Sequence, residues 1–350
     1  MREMMRLLRN SCWLPVVLMF IANAAFAQAP TTTLLVLAKS DNTVAVVDPA
    51  TLQVLARIPA GPDPHEITAS DDGKLAYISN YGGSDSTLNT ISVVDLVARK
   101  PLPAIDLGAL RSTHGLAFAG GKLYFTAETN KVIGRYDPAT QRVDWVLGTG
   151  QDRTHMIAVS KSLDRIVTSN VNSATISIIE QASPPSGGFN PPGVPRLTWE
   201  VTNVPAGRGA EGFDISPDGK EIWVANARDA TVTVIDAATR KATETFPIPV
   251  KGANRLKFTP DGKRVLISGL GARQGDSSLV VIDAATHKEV KQLNFGGGAA
   301  GILIAPDGSR AYVAVSSADK IAVVDLKTLE VTGQIDAGKQ PDGLAWAVRK

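Results

Sequence analysis

The sequence predicts an all-β fold, and three observations support this prediction. Short runs of alternating apolar and polar residues, rich in Val, Ile and Thr, recur along the chain. Turn-forming residues separate these runs, in agreement with 31 Gly and 21 Pro among 350 residues. One sequence pattern also returns about every 40–55 residues, which is the length of a four-stranded sheet repeat and longer than most helical repeats.

The first 27 residues are predicted to be a cleaved signal peptide and not part of the fold. A positively charged head is formed by three arginines, Arg2, Arg6 and Arg9. Residues 13–22 (WLPVVLMFIA) are apolar but too few to span a bilayer, and residues 25–27 (AFA) form a small-x-small cleavage site. We therefore expect cleavage before Gln28 and a soluble periplasmic or secreted protein. Because no cysteine follows this position, we expect no lipid anchor in the membrane.

The mature chain is predicted to carry no net charge and no cysteine. Removal of residues 1–27 takes away three Arg, one Glu and Cys12, which leaves 33 basic and 33 acidic residues. Without cysteine the chain has no disulfide, no thiolate metal ligand and no covalently attached c-type haem. Any metal must therefore bind to His, Asp, Glu or Asn. The lack of a basic excess disfavours a nucleic-acid partner.

Seven copies of one repeat account for the mature chain. The clearest copy is residues 216–241, SPDGKEIWVANARDATVTVIDAATRK. Related copies begin at Ser70, Ala119, Ser160, Thr259 and Ala305. A headless copy, LLVLAKSDNTVAVVDPATLQ, begins at Leu34 and lacks the first part of the pattern.

Each copy is predicted to form four strands joined by tight turns. In the clearest copy we expect strands over residues 211–216, 221–226, 231–236 and 241–248. An aspartate ends the third strand in several copies, and its carboxylate is suited to accept N–H bonds from the following turn. We predict this structural role for Asp48, Asp137, Asp236 and Asp283.

Seven four-stranded units predict a seven-bladed β-propeller whose first blade contains both chain ends. The headless first copy lacks an inner strand, and residues 341–348 (PDGLAWAV) provide one. This pairing closes the ring and leaves no free sheet edge. Residues 181–195 (QASPPSGGFNPPGVP) are predicted to be a loop within the fourth blade, because Pro and Gly preclude regular structure there. Residues 28–350 are therefore expected to form one domain.

The repeat resembles a known family. Its pattern of PDGK, a hydrophobic segment, (W/Y)VAN and TVxVIDxxT resembles the repeat of the YVTN family of exported, YncE-like β-propellers, and residues 223–226 (WVAN) are the nearest local match. The resemblance covers essentially the whole mature chain and implies the seven-bladed fold. For function it implies a broad range, which includes surface-layer modules, single-stranded DNA binders and propellers related to lactonases and lyases.

Comparison of the copies places three histidines at one structural position. Two residues before the first apolar residue of each inner strand, the copies have, in chain order, His65, His114, His155, Glu211, Asn254, Ala300 and Asp342. Inner strands line the central channel and begin at one mouth, so these side chains are expected to face each other. Because imidazoles and carboxylates bind transition metals, we predict a divalent Zn, Cu or Fe ion held by His65, His114, His155 and Glu211. The alternative is a polar mouth that hydrogen-bonds only to water and neighbouring turns.

Cationic residues close to these positions predict an anionic ligand. Arg111, Arg153 and Arg208 each precede a ring position by two or three residues. Guanidinium groups there favour a carboxylate, phosphate or sulfate. The full set of predicted ligand-binding residues is Arg111, Arg153, Arg208, Asn254, Asp342 and Tyr81.

Two functions remain open at this point. In the first, a metal at the channel mouth binds a small anionic ligand or substrate; zinc or magnesium would indicate a hydrolase or lyase, and copper or iron an oxidoreductase. In the second, the propeller is a non-catalytic scaffold that binds a protein or a ligand through the loops at residues 80–89, 181–195 and 269–278. No catalytic residue is identified, and a monomer is expected in both cases.

Overall fold

A computed structural model describes residues 31–182 and 198–350 of the chain, except residues 272, 274 and 277. Within this part, the only helical element is one short 3-10 turn at Ser316–Ala318, and no helix has the length and apolar character needed to cross a bilayer. The predicted signal peptide at residues 1–27 lies outside the described residues, as do residues 183–195 of the predicted loop in the fourth blade.

The described residues form seven antiparallel sheets of four strands, which confirms the predicted fold class. Blade 1 begins with β1 (Thr32–Ala38), β2 (Thr43–Val47) and β3 (Val54–Pro59). Blade 2 contains β4 (Pro64–Ala69), β5 (Leu75–Asn80), β6 (Thr90–Asp95) and β7 (Lys100–Asp106). Blade 3 contains β8 (Thr113–Ala119), β9 (Lys122–Ala127), β10 (Val132–Asp137) and β11 (Arg142–Gly148). Blade 4 contains β12 (Thr154–Val159), β13 (Arg165–Asn170), β14 (Thr175–Ala182) and β15 (Thr198–Pro205).

The remaining blades repeat this arrangement. Blade 5 contains β16 (Ala210–Ile215), β17 (Glu221–Asn226), β18 (Thr231–Asp236) and β19 (Lys241–Pro247). Blade 6 contains β20 (Ala253–Phe258), β21 (Arg264–Gly269), β22 (Leu279–Asp283) and β23 (Glu289–Leu293). Blade 7 contains β24 (Ile302–Ile304), β25 (Arg310–Val315), β26 (Lys320–Asp325) and β27 (Glu330–Ile335). The last strand, β28 (Pro341–Val348), completes blade 1.

The ring closes through blade 1, as the sequence predicts. Strand β28 pairs antiparallel with β1, with Leu34 opposite Trp346. Each inner strand contacts the inner strand of the next blade, and β28 contacts β4 to complete the circle. One detail of the sequence prediction is wrong: residues 181 and 182 belong to β14, because they pair with Trp199 and Thr198 of β15 and extend the hairpin before the loop begins.

Apolar side chains are buried between neighbouring sheets. Trp223 and Val234 of blade 5 pack in one cluster with Phe258 and Ile267 of blade 6. Outer strands such as β19 are largely exposed, because they have only one neighbouring strand. The predicted aspartate turns are confirmed: the carboxylates of Asp48, Asp137, Asp236 and Asp283 each accept a backbone N–H bond from the residue two positions later.

Candidate functional site at the channel mouth

An irregular start to each inner strand presents the residues at the channel mouth. In blade 2, Pro64 pairs with Asn80 and Ile67 pairs with Ile78, so the strand contains a bulge across residues 65 and 66. Equivalent register shifts occur in β8, β12, β16 and β20. The residue two positions before the ring position has a positive φ in six blades: Asp63, Ser112, Arg153, Gly209, Gly252 and Gln340. Bulges and left-handed residues redirect side chains, and here they do so at equivalent positions around the ring.

Hydroxyl groups on the second strands fix these bulges to the next blade. Thr126 Oγ1 accepts a hydrogen bond from the backbone N–H of Gly115 at 2.9 Å and donates one to the carbonyl oxygen of His155 at 2.9 Å. Ser169 and Ser268 make the same two contacts in blades 4 and 6. The ring positions His155, Glu211 and Ala300 are therefore held by the blades that precede them.

Glycine follows the ring position in four blades because adjacent inner strands approach closely there. A Cβ atom on Gly115 would clash with the carbonyl oxygen of His155 in the next blade. Gly212, Gly301 and Gly343 stand in the same relation to Asn254, Asp342 and His65. The remaining blades carry larger residues at this position, among them Glu66 and Arg255, which are considered below.

The three predicted histidines lie together at the mouth. The rings of His114 and His155 stack with centroids 3.6 Å apart, and the His65 ring lies 5.4 Å from that of His114. Tyr81 packs edge-on against His114 at 4.7 Å and against His65 at 4.8 Å. With Glu128, described next, these side chains form a group that we call the mouth cluster: His65, Tyr81, His114, Glu128 and His155.

His155 lies between two glutamates. Its Nδ1 donates to Glu128 Oε1, and its Nε2 lies 2.9 Å from Glu211 Oε1. The second contact is an ion pair without hydrogen-bond alignment, because the N–H does not point at the oxygen. Burial lowers the pKa of His155, but the two carboxylates outweigh burial and raise it overall. Likewise, burial opposes ionisation of Glu211, yet the His155 charge holds the pKa of Glu211 at about 2. The two carboxylates therefore favour the imidazolium form of His155.

Glu128 joins Tyr81 and Arg153 to this pair. The Tyr81 hydroxyl donates to Glu128 Oε2 at 2.7 Å, and burial raises the pKa of Tyr81, so its proton is retained. Arg153 Nε lies 3.6 Å from Glu128 Oε2, and a terminal Arg153 nitrogen lies 3.8 Å from Glu211 Oε1. The Arg153 charge is therefore largely committed to two protein carboxylates.

His65 is oriented by neighbours on both ring nitrogens. Its Nδ1 donates to the carbonyl oxygen of Asp63 at 3.2 Å, and its Nε2 accepts from Lys39 Nζ at 3.5 Å. Lys39 in turn pairs with Asp342 Oδ2 at 2.9 Å. Burial lowers the pKa of His65, so the ring is neutral and its Nε2 carries a lone pair.

His114 is the exception in the mouth cluster because it has no hydrogen-bond partner among the described residues. It is 2% exposed, and its Nδ1 is buried without a partner. Within the described part of the chain, neither of its ring nitrogens makes a hydrogen bond. Burial and the neighbouring His155 charge lower the pKa of His114 well below its usual value, so the ring is neutral.

One ion pair crosses the channel beneath the ring positions. Arg255 of blade 6 donates to Glu66 of blade 2 and also contacts Asn254 Oδ1 at 3.2 Å. Both Arg255 and Asn254 are buried. The predicted ligand residue Asn254 therefore supports this bridge. The pair connects blades that are not neighbours in the ring.

The outer predicted residues lie on the rim. Arg208 is 77% exposed at its side chain and pairs with Asp229 at 2.7 Å. Arg111 is exposed, and its backbone N–H donates to Asn130 Oδ1 at 2.8 Å. In the described residues, no ion pair joins either arginine to the mouth cluster. Of the predicted ligand-binding residues, the structure brings Tyr81, Arg153 and Asp342 next to the histidines.

The sequence analysis named Tyr81 but missed that it belongs to a second ring of positions. The residue that follows the second strand of each blade, from blade 1 to blade 7, is Lys39, Tyr81, Glu128, Val171, Ala227, Leu270 and Ser316. Lys39, Tyr81 and Glu128 each contact the histidine of the next blade. The alignment of repeat copies that located the histidines also aligns these residues with one another, at the position that follows each second strand.

Two groups of residues can be distinguished within these two rings. We call the first group the reactive arc: Lys39, His65, Tyr81, His114, Glu128 and His155. We call the second group, the apolar residues of blades 4 to 7, the apolar arc: Val171, Ala227, Leu270 and Ala300. The remaining ring positions are polar: Glu211, Asn254, Ser316 and Asp342. Leu270 is 46% exposed, whereas Val171 and Ala300 are buried.

The predicted metal ligands are close together but do not converge as one coordination group. The rings of His114 and His155 are stacked. Stacked rings direct their lone pairs side by side and not at a common point. Among the residues that the structure describes, no group of three or more His, Cys, Asp or Glu side chains is arranged to hold a metal ion.

A comparison with known families agrees with the architecture. Residues 200–305 match the family model of the YNCE-like beta-propeller. Together with the seven blades, this match confirms the predicted resemblance to YncE-like seven-bladed propellers. No curated protein sequence matched the chain.

Solved structures with this fold have varied functions. A functionally unknown protein from Desulfotomaculum acetoxidans is 13% identical, with a TM-score of 0.69 over 88% of this chain and 98% of that chain. A putative 6-phosphogluconolactonase from Bacteroides fragilis is 16% identical, with a TM-score of 0.71 over 90% and 97%. The dihydro-heme d1 dehydrogenase NirN, in complex with DHE, is 16% identical, with a TM-score of 0.63 over 91% and 76%. At such identities the similarity establishes the fold alone.

Proposed function

We propose that this YncE-like β-propeller is an exported binding protein whose channel mouth takes a transition-metal centre, with His114 as its main protein ligand. The observation that carries the proposal is the buried imidazole of His114, which has no hydrogen bond on either nitrogen among the residues that the structure describes. A buried polar group without a partner costs about 1–3 kcal/mol. A ligand that bonds to His114 would remove this cost.

A metal suits His114 better than a hydrogen-bonding ligand does. A neutral imidazole is the form that coordinates metals, and burial keeps His114 neutral. Zinc–nitrogen bonds of about 2 Å in tetrahedral geometry place two ligand rings about 5 Å apart, centre to centre. The 5.4 Å between His65 and His114 fits this spacing, whereas the 3.6 Å between His114 and His155 is too short.

The proposed ligand set is therefore narrower than the four residues predicted from the sequence. His114 is the principal ligand, and His65 becomes a second one when its Nε2 exchanges the Lys39 contact for the metal, with its Nδ1 oriented by the Asp63 carbonyl. His155 and Glu211 serve to neutralise each other and hold the backbone beside the site. Lys39 and Arg153 lie next to these groups and favour an anion bound together with the metal.

A periplasmic or secreted location is part of this proposal. It is supported by the arginine-rich, apolar start of the sequence and by the AFA segment at residues 25–27. The oxidising conditions of such a compartment pose no constraint, because no cysteine follows residue 27.

Metal titration of untagged protein beginning at Gln28 tests the proposal. Co²⁺ and Cu²⁺ binding, followed by visible absorption, should weaken at least tenfold in His114→Ala. The matched control is His287→Ala, since His287 is a half-buried histidine whose Nδ1 contacts Glu244 at 2.9 Å in a different part of the molecule. Equal binding by the wild type and His114→Ala, with both folded, would refute the assignment. No binding of any metal probe, free or chelated, would leave the scaffold function as the alternative.

A further inference from the structure

The number of free donors at the mouth limits the kind of metal centre that fits there. Both nitrogens of His155 face glutamates, and His65 Nε2 already accepts from Lys39. Asp342 is paired with Lys39. Within the described residues, His114 is the one mouth histidine whose two nitrogens both lack hydrogen bonds.

One or two imidazoles hold an aqueous divalent ion weakly, because structural sites in proteins use about four ligands. No described group of three donors is arranged around a common point. A metal centre that binds firmly here must therefore bring most of its own ligands.

The charges of the mouth lead to the same conclusion. Lys39 pairs with Asp342, Arg153 with Glu128 and Glu211, and Arg255 with Glu66. These four carboxylates are therefore already committed to protein cations. A bare divalent cation would add two uncompensated charges in a poorly solvated place, which is costly. A metal whose organic ligand neutralises it avoids that cost.

The apolar arc offers one exposed side chain to the organic part of such a ligand. Leu270 is 46% exposed, whereas Val171 and Ala300 are buried. On the other side, Tyr81 and His65 present ring edges beside His114. A ligand that carries both a metal and an organic frame would contact both arcs.

We infer that the mouth binds a transition metal that arrives inside an anionic organic chelate with one open coordination position. This inference rests on the proposed function and specifies its ligand class. A lone pair of a His114 ring nitrogen forms one bond to the metal, and the water that occupied the open position leaves. No electron is transferred, and the chelate keeps its other bonds. Exposed Arg111 at the rim is available for the carboxylates of the chelate.

Three probes test this inference on untagged protein from Gln28: copper(II) nitrilotriacetate, iron(III) protoporphyrin IX and aqueous Cu²⁺. We expect at least one chelate to bind at least tenfold more tightly than aqueous Cu²⁺, with a shift in its visible absorption. Binding of the copper chelate alone indicates a compact ligand, and binding of the iron chelate alone indicates a large planar one. Metal-free protoporphyrin IX should cause no His114-dependent change.

His114→Ala should weaken chelate binding at least tenfold, and added free imidazole should restore the absorption shift by filling the vacated position. His287→Ala should leave binding unchanged. Rescue by imidazole distinguishes a lost metal ligand from a misfolded variant. Aqueous Cu²⁺ that binds through His114 as tightly as either chelate would overturn this inference while leaving the proposed function intact. Failure of all three probes would overturn both.

Discussion

The reactive arc and the apolar arc have the same backbone but different side chains. In both arcs the inner strands begin with a bulge, and second-strand hydroxyls bridge to the next blade. In the reactive arc these positions carry imidazole, phenol, carboxylate and ammonium groups. In the apolar arc the position after the second strand carries Val171, Ala227 and Leu270. The scaffold is therefore uniform. The histidines lie in three adjacent blades, and Glu211 and Arg255 extend the ionic contacts to blades 5 and 6.

This difference shows how a repeat protein forms a single site. Each blade contributes one residue at the start of its inner strand and one at the end of its second strand, and the second reaches the first of the next blade. Lys39 with His65, Tyr81 with His114 and Glu128 with His155 are three successive instances. Substitution at two positions in adjacent blades is enough to create a local cluster without any change of fold.

The largest effect is expected for His155→Ala in the reactive arc. Removal of the imidazolium leaves Glu128 and Glu211 buried and close to one another, because His155 neutralises both. Loss of one partner of a buried ion pair costs about 3–5 kcal/mol. Urea denaturation followed by tryptophan fluorescence measures this cost.

Two control variants accompany this experiment. Leu270→Ala in the apolar arc and His287→Ala outside the mouth should each change the free energy of unfolding by less than about 1 kcal/mol. A loss in His155→Ala no greater than in these controls would mean that the two glutamates are solvated or protonated in the variant.

A double-mutant cycle tests the ion pair between Arg255 and Glu66 that crosses the channel. Arg255→Met should destabilise the protein by about 3 kcal/mol, because it leaves Glu66 without its partner. The double variant with Glu66→Gln should recover part of that loss, with a coupling energy of about 1–3 kcal/mol. Additive losses would mean that the cross-channel pair contributes nothing to stability.

The ion pairs of the reactive arc also predict the dependence of stability on pH. Glu211 has a folded pKa of about 2 against an ordinary 4.5, so its contribution is present above pH 4.5 and is lost as the pH falls toward 2. The pKa of His155 is raised above 6.5, so its contribution is present below pH 6.5 and is lost as the pH rises through the folded pKa.

Stability should therefore be greatest at pH values above the titration of Glu211 and below the titration of His155. In Glu211→Gln the loss of stability at acid pH should be smaller, because the carboxylate that titrates there is absent. The loss of stability at alkaline pH should begin at lower pH, because one carboxylate no longer stabilises the protonated form of His155. Thermal melting from pH 3 to 9 compares the two proteins. Superimposable profiles would show that this pair does not control the pH dependence.

The smallest effect on stability is expected for Leu270→Ser. Because this side chain is 46% exposed, the free energy of unfolding should change by less than about 0.5 kcal/mol. Chelate affinity should nevertheless fall about fivefold, as one apolar contact of roughly 1 kcal/mol is lost. Unchanged affinity would restrict the binding contacts to the reactive arc.

Much of the site was accessible from the repeat itself. Alignment of the copies identified His65, His114 and His155 as equivalent, and the rings lie within contact distance in the structure. The same alignment did not point to Glu128, because a glutamate in a loop resembles any solvated charge. Its role depends on burial, since it is 3% exposed.

The sequence by itself determined the number of blades, the closure by residues 341–348 and the membership of the ring positions, because each repeat encodes one local unit. Only the tertiary structure decided which side chains pair. The contact of Glu128 with His155 depends on the next blade, and that of Glu66 with Arg255 on the width of the channel. Such distances are set by the closed ring as a whole, and no segment of the chain encodes them locally.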